Sequence, residues 1–198
     1  MTKKTVLSAV TAAIAVGAMA GCTTVIREPA PAPAQSASSA APTPGSSSAS
    51  GTRGPIGTTT FQITDPNAGP NGDQKAVYSV TALKILDPAD PDNSFDSAPA
   101  GSHLVGVEFQ VKGVSGSEQD DANIDTSVTG NDQQSYQAGI EGLAAGTNFN
   151  GGDFNTSPGS SSIGWVSFEV KNGVTVTSIQ WTPNGGVSGS PVTWTVAG

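Results

Sequence analysis

The chain has 198 residues and a formal net charge of −8; 12% of its residues are charged, and it holds 25 glycines and 14 prolines. One Cys and one His exclude an internal disulfide framework, Cys-rich metal knuckles and multi-His zinc centres. The acidic balance argues against a nucleic-acid partner.

The N-terminus reads as an address. Lys3 and Lys4 precede a short apolar stretch, Val6 to Ala18, and then Met19-Ala20-Gly21-Cys22. A basic start, an apolar middle of about 7–15 residues and small residues at the cut describe a secretory signal. The stretch is too short for a span, which takes about 20 apolar residues. Ala18-Met19-Ala20 suits ordinary signal peptidase, which would release a soluble chain starting at Gly21. Met19-Ala20-Gly21-Cys22 resembles instead the lipobox of bacterial lipoproteins, with Met19 where Leu is commonest. That resemblance implies a signal peptide over 1–21, a diacylglycerol on the Cys22 thiol and a cut just before Cys22. It also implies a cell-membrane location facing the extracytoplasmic side. Two or more acyl chains anchor stably, whereas one is marginal. Without Lys3 and Lys4 the mature chain carries six Lys and Arg against sixteen Asp and Glu, a formal charge of −10.

From Glu28 to Ser50, 19 of 23 residues are Pro, Ala or Ser. Such a segment cannot bury enough apolar surface to offset its ordering entropy. The expectation is a disordered linker over 22–56, extended where Pro-rich and flexible where Ser-rich. All eleven aromatic residues lie beyond it, in a domain over 57–198. That is a common size for one core.

The domain reads as strands almost throughout. Thr58 to Ile63 comes first. Ala76 to Leu86 alternates through Tyr78, Val80 and Ala82, then changes phase to Leu83 and Ile85, which predicts a bulge or a change of partner. Leu104 to Val111 places Val105, Val107, Phe109 and Val111 on one face. Ile124 to Thr129 alternates more weakly. Ile163 to Val170 aligns Val166, Phe168 and Val170; Val174 to Trp181 follows, and Val192, Trp194 and Val196 close the chain. β-Branched and aromatic residues dominate these runs, as a half-buried pleated surface prefers. Between two of them, Asn172-Gly173 predicts a hairpin. Pro158-Gly159 suits a type II turn, and Asn131-Asp132 and Asn184-Gly185-Gly186 mark further turns. No segment sustains a 3.6-residue period. The expected fold is all-β, an antiparallel sandwich, with an up-and-down barrel as the alternative.

The order of these segments is similar to that of the DUF4352-type domain. The resemblance runs over about Gln74 to Thr182, on Gly101 to Val111, Pro158-Gly159 and Gly164 to Val170. It implies an immunoglobulin-like sandwich on an exported protein or lipoprotein. It implies no activity.

Candidate chemistry is sparse. His103 could serve a Ser-His-Asp arrangement with Asp96 near in sequence, but no nucleophile elbow accompanies it, and a solvated histidine is the plainer reading. Asp87, Asp90 and Asp92 share a Pro-stiffened loop; Glu118, Asp120, Asp121 and Asp125 make a second acidic stretch. Hard calcium takes several such oxygens, and a site is conceivable if the two loops meet. Without EF-hand spacing, solvated loops are the plainer reading. Trp165, Trp181 and Trp194 could form a carbohydrate platform, though at strand spacing they read as core. No residue pair is singled out for glycoside hydrolysis. The reading that follows is a monomeric binding or interaction module of the cell envelope, not an enzyme. It has no cofactor, metal or catalytic residue assigned, and a lipid anchor at Cys22. Its partners would be the membrane and an envelope protein or cell-wall polymer; a calcium-dependent or carbohydrate-binding wall module is the alternative, and a hydrolytic envelope enzyme a weaker one.

Overall fold

The computed structural model describes residues 52–69, 71–149 and 151–197. The signal peptide, Cys22 and the linker up to residue 51 lie outside the described residues.

Among the described residues eleven strands run in the order β1 (Thr52–Pro55), β2 (Thr60–Ala68), β3 (Gln74–Leu86), β4 (Ser102–Ser115), β5 (Glu118–Asp121), β6 (Thr126–Gly130), β7 (Ser135–Gln137), β8 (Asp153–Thr156), β9 (Ser161–Lys171), β10 (Val176–Trp181) and β11 (Val192–Thr195). One helical turn, α1 (Ala122–Asp125), precedes β6, and a 3-10 turn, Pro183–Gly186, follows β10. One sheet has the order β1-β11-β10-β6-β7, a second β2-β3-β4-β9, and β5 pairs with β8 alone. All pairings are antiparallel except β1 with β11. The result is an antiparallel, immunoglobulin-like β-sandwich.

The core follows from alternation. Phe61 and Ile63 of β2, Tyr78, Val80 and Ala82 of β3, Val105 to Val111 of β4, and Val166, Phe168 and Val170 of β9 present one buried row each. Val128, Ile179, Trp181, Val192 and Trp194 of the other sheet belong to the same buried core. Phe109 joins the layers, with its ring 5.3 Å from Trp181 and 5.9 Å from Trp194. Both indoles find acceptors: Trp181 Nε1 donates to Tyr78 Oη at 3.3 Å and Trp194 Nε1 to the Thr59 carbonyl at 2.8 Å. Buried N–H groups must be paired in this way to avoid a desolvation cost.

The outer face of β4 and β9 is also covered. Leu104 and Trp165 pack with Ala89 and Leu143 from two long loops. Gly106 makes room for them, since a Cβ there would lie 2.6 Å from Leu143 Cδ1. This is why Leu104 and Gly106, in the outward phase of β4, are buried as well.

The phase change in β3 is a bulge: Ala82 pairs with Phe109 and Lys84 with Glu108, leaving Leu83 extra. Three expectations change. The linker ends earlier than residue 57, because Thr52–Pro55 pairs in parallel with Val192–Thr195. Its residues carry no strand pattern; the open edge of β11 recruits them. The strand expected from Ile124 starts only at Thr126, because Asp121 caps the α1 turn by accepting from the Asn123 N–H at 2.8 Å. Ile124 is accordingly 59% exposed. The Asn172-Gly173 turn is not a hairpin, for β9 and β10 belong to different sheets. Of its two central residues only Gly173 has positive φ, at 81°. Both primed turns need positive φ at the first central residue, which Asn172 lacks, and other turns splay the flanking strands, so the chain crosses from one sheet to the other.

Candidate functional site: a buried carboxyl cluster

The strand register separates the two acidic segments. β3 runs from Gln74, beside Ala68 of β2, to Leu86. Asp87 follows Leu86 and accepts from the Val176 N–H, at the start of β10, at 3.0 Å. Asp125 instead precedes Thr126, whose partner Trp181 ends β10. The loops therefore sit at opposite ends of the sandwich, and the shared site conceived for them does not form.

At the first end, Asp87 Oδ1 lies 2.8 Å from His103 Nε2. The carboxyl thus ties the ends of β3, β4 and β10 together. Asp96 does not join them, as it accepts from Asn93 Nδ2. Among the described residues no hydroxyl hydrogen-bonds to His103. Asp90 and Asp92 are exposed. A shallow depression of about 410 Å³ lies beside Asp87, His103 and Asn172.

The other end is different. Asp65 continues the inward phase of Phe61 and Ile63 on β2, and is 1% exposed. Glu118 opens β5 and Asp125 closes α1, each 2% exposed. Asp120 stands between them on β5. Asp65, Asp120 and Asp125 converge on the 3-10 turn, and Glu118 faces Asp65. The Asn184 N–H donates to Asp120 Oδ2 at 3.1 Å, and the Gly185 N–H to Asp125 Oδ1 at 2.9 Å. Asn184 Nδ2 donates to Asp65 Oδ2 and to Ser188 Oγ. The turn can present these donors because Asn184 and Gly185 both adopt left-handed φ, 50° and 58°, which Asn and Gly tolerate best.

The local donors do not satisfy every oxygen. Asp65 Oδ1 accepts from the Asn67 N–H at 2.8 Å, Glu118 Oε1 from the Gln119 N–H at 3.1 Å and Asp120 Oδ1 from the Asp121 N–H at 2.8 Å. Glu118 Oε2 and Asp125 Oδ2 are buried without a partner. Glu118 meets Asp65, and Asp125 meets Asp120. Two carboxylates both only accept, so each meeting becomes a hydrogen bond only when one group holds a proton. Burial, then the Asp65 charge, pushes the Glu118 carboxyl up to about 7. Burial, then Asp120, holds the Asp125 carboxyl well above the usual carboxylate range, and burial raises Asp120 as well. Tyr78, beneath them, is raised by burial and by the Asp125 charge. Ion pairs in the described residues join Lys84 to Glu108 and His103 to Asp87, so none reaches this cluster. Nor, among the described residues, do three acids surround one point as a preformed metal centre. An open polar groove of about 310 Å³ runs beside Asp125, past Ser127, Ser135, Gln137, Gln180 and Thr182.

Sequence reading found Glu118, Asp120 and Asp125 but missed Asp65 and Asn184. The signal for Asp65 was present: it falls in phase with Phe61 and Ile63. Asp121 is drawn off to cap α1. The tryptophans do not form a platform; Trp181 and Trp194 are fully buried and Trp165 is 4% exposed. No helix among the described residues is long and apolar enough to cross a membrane.

No family model matches the chain, and no curated protein matches it either. Solved structures do. The secreted protein MPT63 of Mycobacterium tuberculosis is 14% identical with a TM-score of 0.50, over 72% of this chain and 96% of that one. The ycdA protein of Bacillus subtilis, named as a candidate lipoprotein, is 15% identical with a TM-score of 0.47, over 61% of this chain and 36% of that one. A functionally unknown protein of Listeria monocytogenes is 12% identical with a TM-score of 0.42, over 72% and 89%. At such identities what the chain shares with MPT63 is its fold, the two-sheet β-sandwich.

Proposed function

We propose that the protein is a lipid-anchored, extracytoplasmic binding module of the DUF4352 type, tethered through Cys22 and acting through loops at the ends of its sandwich. The observation that carries the anchor is Met19-Ala20-Gly21-Cys22, with the single Cys of the chain at the end of the signal pattern. The secreted MPT63, of the same fold, fits an exported setting. End loops are where sandwiches carry recognition, and this chain gathers its buried acids at one such end.

The test is metabolic labelling with a fatty-acid probe, followed by fractionation. Wild type is expected to carry label and to sediment with membranes. Cys22→Ala is expected to lose the label and to leave the membrane fraction. An unlabelled wild type found wholly in the medium refutes the anchor.

A further inference from the structure

We propose that Asp65, Glu118, Asp120 and Asp125, together with the Asn184 turn, form a binding site for a divalent cation of the calcium class. This deepens the reading of the domain as a binding module by naming a ligand for one of its ends; it does not depend on the lipid at Cys22.

The argument starts from what surrounds the acids. Four carboxyl groups from three separate segments meet in the interior, and three of them are at most 2% exposed. A carboxylate is costly to bury unless it is paired with positive charge. Among the described residues no Lys, Arg or His makes an ion pair with any of the four. Their partners are neutral: backbone N–H groups and the Asn184 amide. These satisfy single oxygens and bring no positive charge.

The two orphaned oxygens point to a ligand. Glu118 Oε2 and Asp125 Oδ2 are both fully enclosed, and neither has a donor other than a proton shared with the facing carboxyl. Buried polar atoms in native proteins are satisfied by protein, water or an ion. Oxygen-only ligands with several negative charges select hard cations. Calcium accepts six to eight oxygens in irregular arrangements, whereas magnesium demands a near-ideal octahedron and keeps its water. The acids here are gathered in pairs and not around one point. Drawing the pairs together on an ion suits the larger, more tolerant cation. The Asn184 amide, turned over, would offer its oxygen in place of its nitrogen. The polar groove beside Asp125 gives hydrated ions a way in.

The other acidic segment lacks these features. Asp87 already faces His103, and Asp90 and Asp92 are exposed. It therefore serves as the internal control.

The experiment uses the full chain in detergent, at fixed neutral pH, with CaCl₂ up to about 20 mM, because extracellular calcium modules bind at roughly 10⁻⁴–10⁻³ M. Thermal melting is compared with NaCl matched for ionic strength, because divalent ions also screen an acidic chain. Terbium luminescence excited through tryptophan gives a second readout, with Trp181 hydrogen-bonded to Tyr78 beneath the cluster. Calcium is expected to raise Tm by about 5 °C over matched NaCl, with a smaller shift in MgCl₂. Glu118→Gln and Asp125→Asn should each reduce the apparent affinity at least tenfold in both readouts, while Asp90→Asn keeps it. Equal melting in CaCl₂ and matched NaCl overturns the proposal. So does an undiminished calcium shift in both cluster variants. The fatty-acid label reports on Cys22 separately, so failure of one reading leaves the other standing.

Discussion

Asp125 accepts a hydrogen bond from the Gly185 N–H at 2.9 Å, sixty residues along the chain. That bond fastens the turn after β10 to the turn before β6, the two strands paired at Trp181 and Thr126. It does so with a carboxyl whose other oxygen has no partner. The end of the sandwich is thus held by a group that is itself uncomfortable when charged.

A pH dependence follows. Glu118 is raised from 4.5 to about 7, chiefly by burial. The native state therefore binds more protons than the unfolded one between these values, and stability falls as pH rises. The contribution is fully present below the unfolded value and is lost through about pH 7. Asp125, raised further, extends the fall upward. In chelator, the domain should lose on the order of 1–3 kcal/mol between pH 5 and pH 8. Urea titrations at a series of pH values measure it. Glu118→Gln should flatten the slope; a stability that rises over this interval contradicts the assignment.

The aromatic link between the sheets is the second test. Phe109 touches both Trp181 and Trp194. Phe109→Ala should cost about 3–5 kcal/mol, visible as a large fall in the urea midpoint. A cost under about 1 kcal/mol would mean that the sheets do not pack through this ring.

Gly106 tests the covered outer face. A methyl group there would collide with Leu143 Cδ1. Gly106→Ala should destabilise by about 1–3 kcal/mol through overpacking. Pairing it with Leu143→Ala should recover part of the loss, since residues in contact are not additive. Simple additivity would show that the loop bearing Leu143 does not lie on β4.

At the opposite end, Asp87 accepts from His103 and from the Val176 N–H. Asp87→Ala leaves that backbone donor without its acceptor, at a cost of about 1–3 kcal/mol. Hydrogen exchange should report faster opening at Val176. An unchanged rate there would remove Asp87 from the role of tie.

Two deletions probe where the fold begins. Removal of 23–50 should leave Tm within about 2 °C, as composition implies no packed contact. Extending the deletion through residue 56 removes β1, its four pairs with β11, and Ile56, which packs on the core. Tm should then fall by several degrees. Equal melting of the two would return β1 to the linker.

Alternation made most of the sandwich legible. The rows from Phe61 to Ile63, Tyr78 to Ala82, Val105 to Val111 and Val166 to Val170 are all inward as their period requires, because side chains of a strand alternate strictly between faces. The bulge at Leu83 was visible as a break in that period. Trp181 and Trp194 were readable as core for the same reason. Asp65 was readable in principle, being in phase with Ile63, but an acid in an inward position is evident only once the strand is known to be inward.

Tertiary structure decided the rest. The four residues of β1 have no pattern of their own and become a strand because β11 offers an unpaired edge. The path after Gly173 depends on which turn forms, and that depends on the sheets it must connect. The carboxyl cluster is likewise out of reach of local reading. Asp65, Glu118, Asp125 and Asn184 span 119 positions between the first and the last, and only the strand register carries them to one end. Periodicity determines which face a residue takes, because it is set by neighbours in the chain; proximity of distant groups is set by pairing and packing, which the chain acquires only when the sheets close.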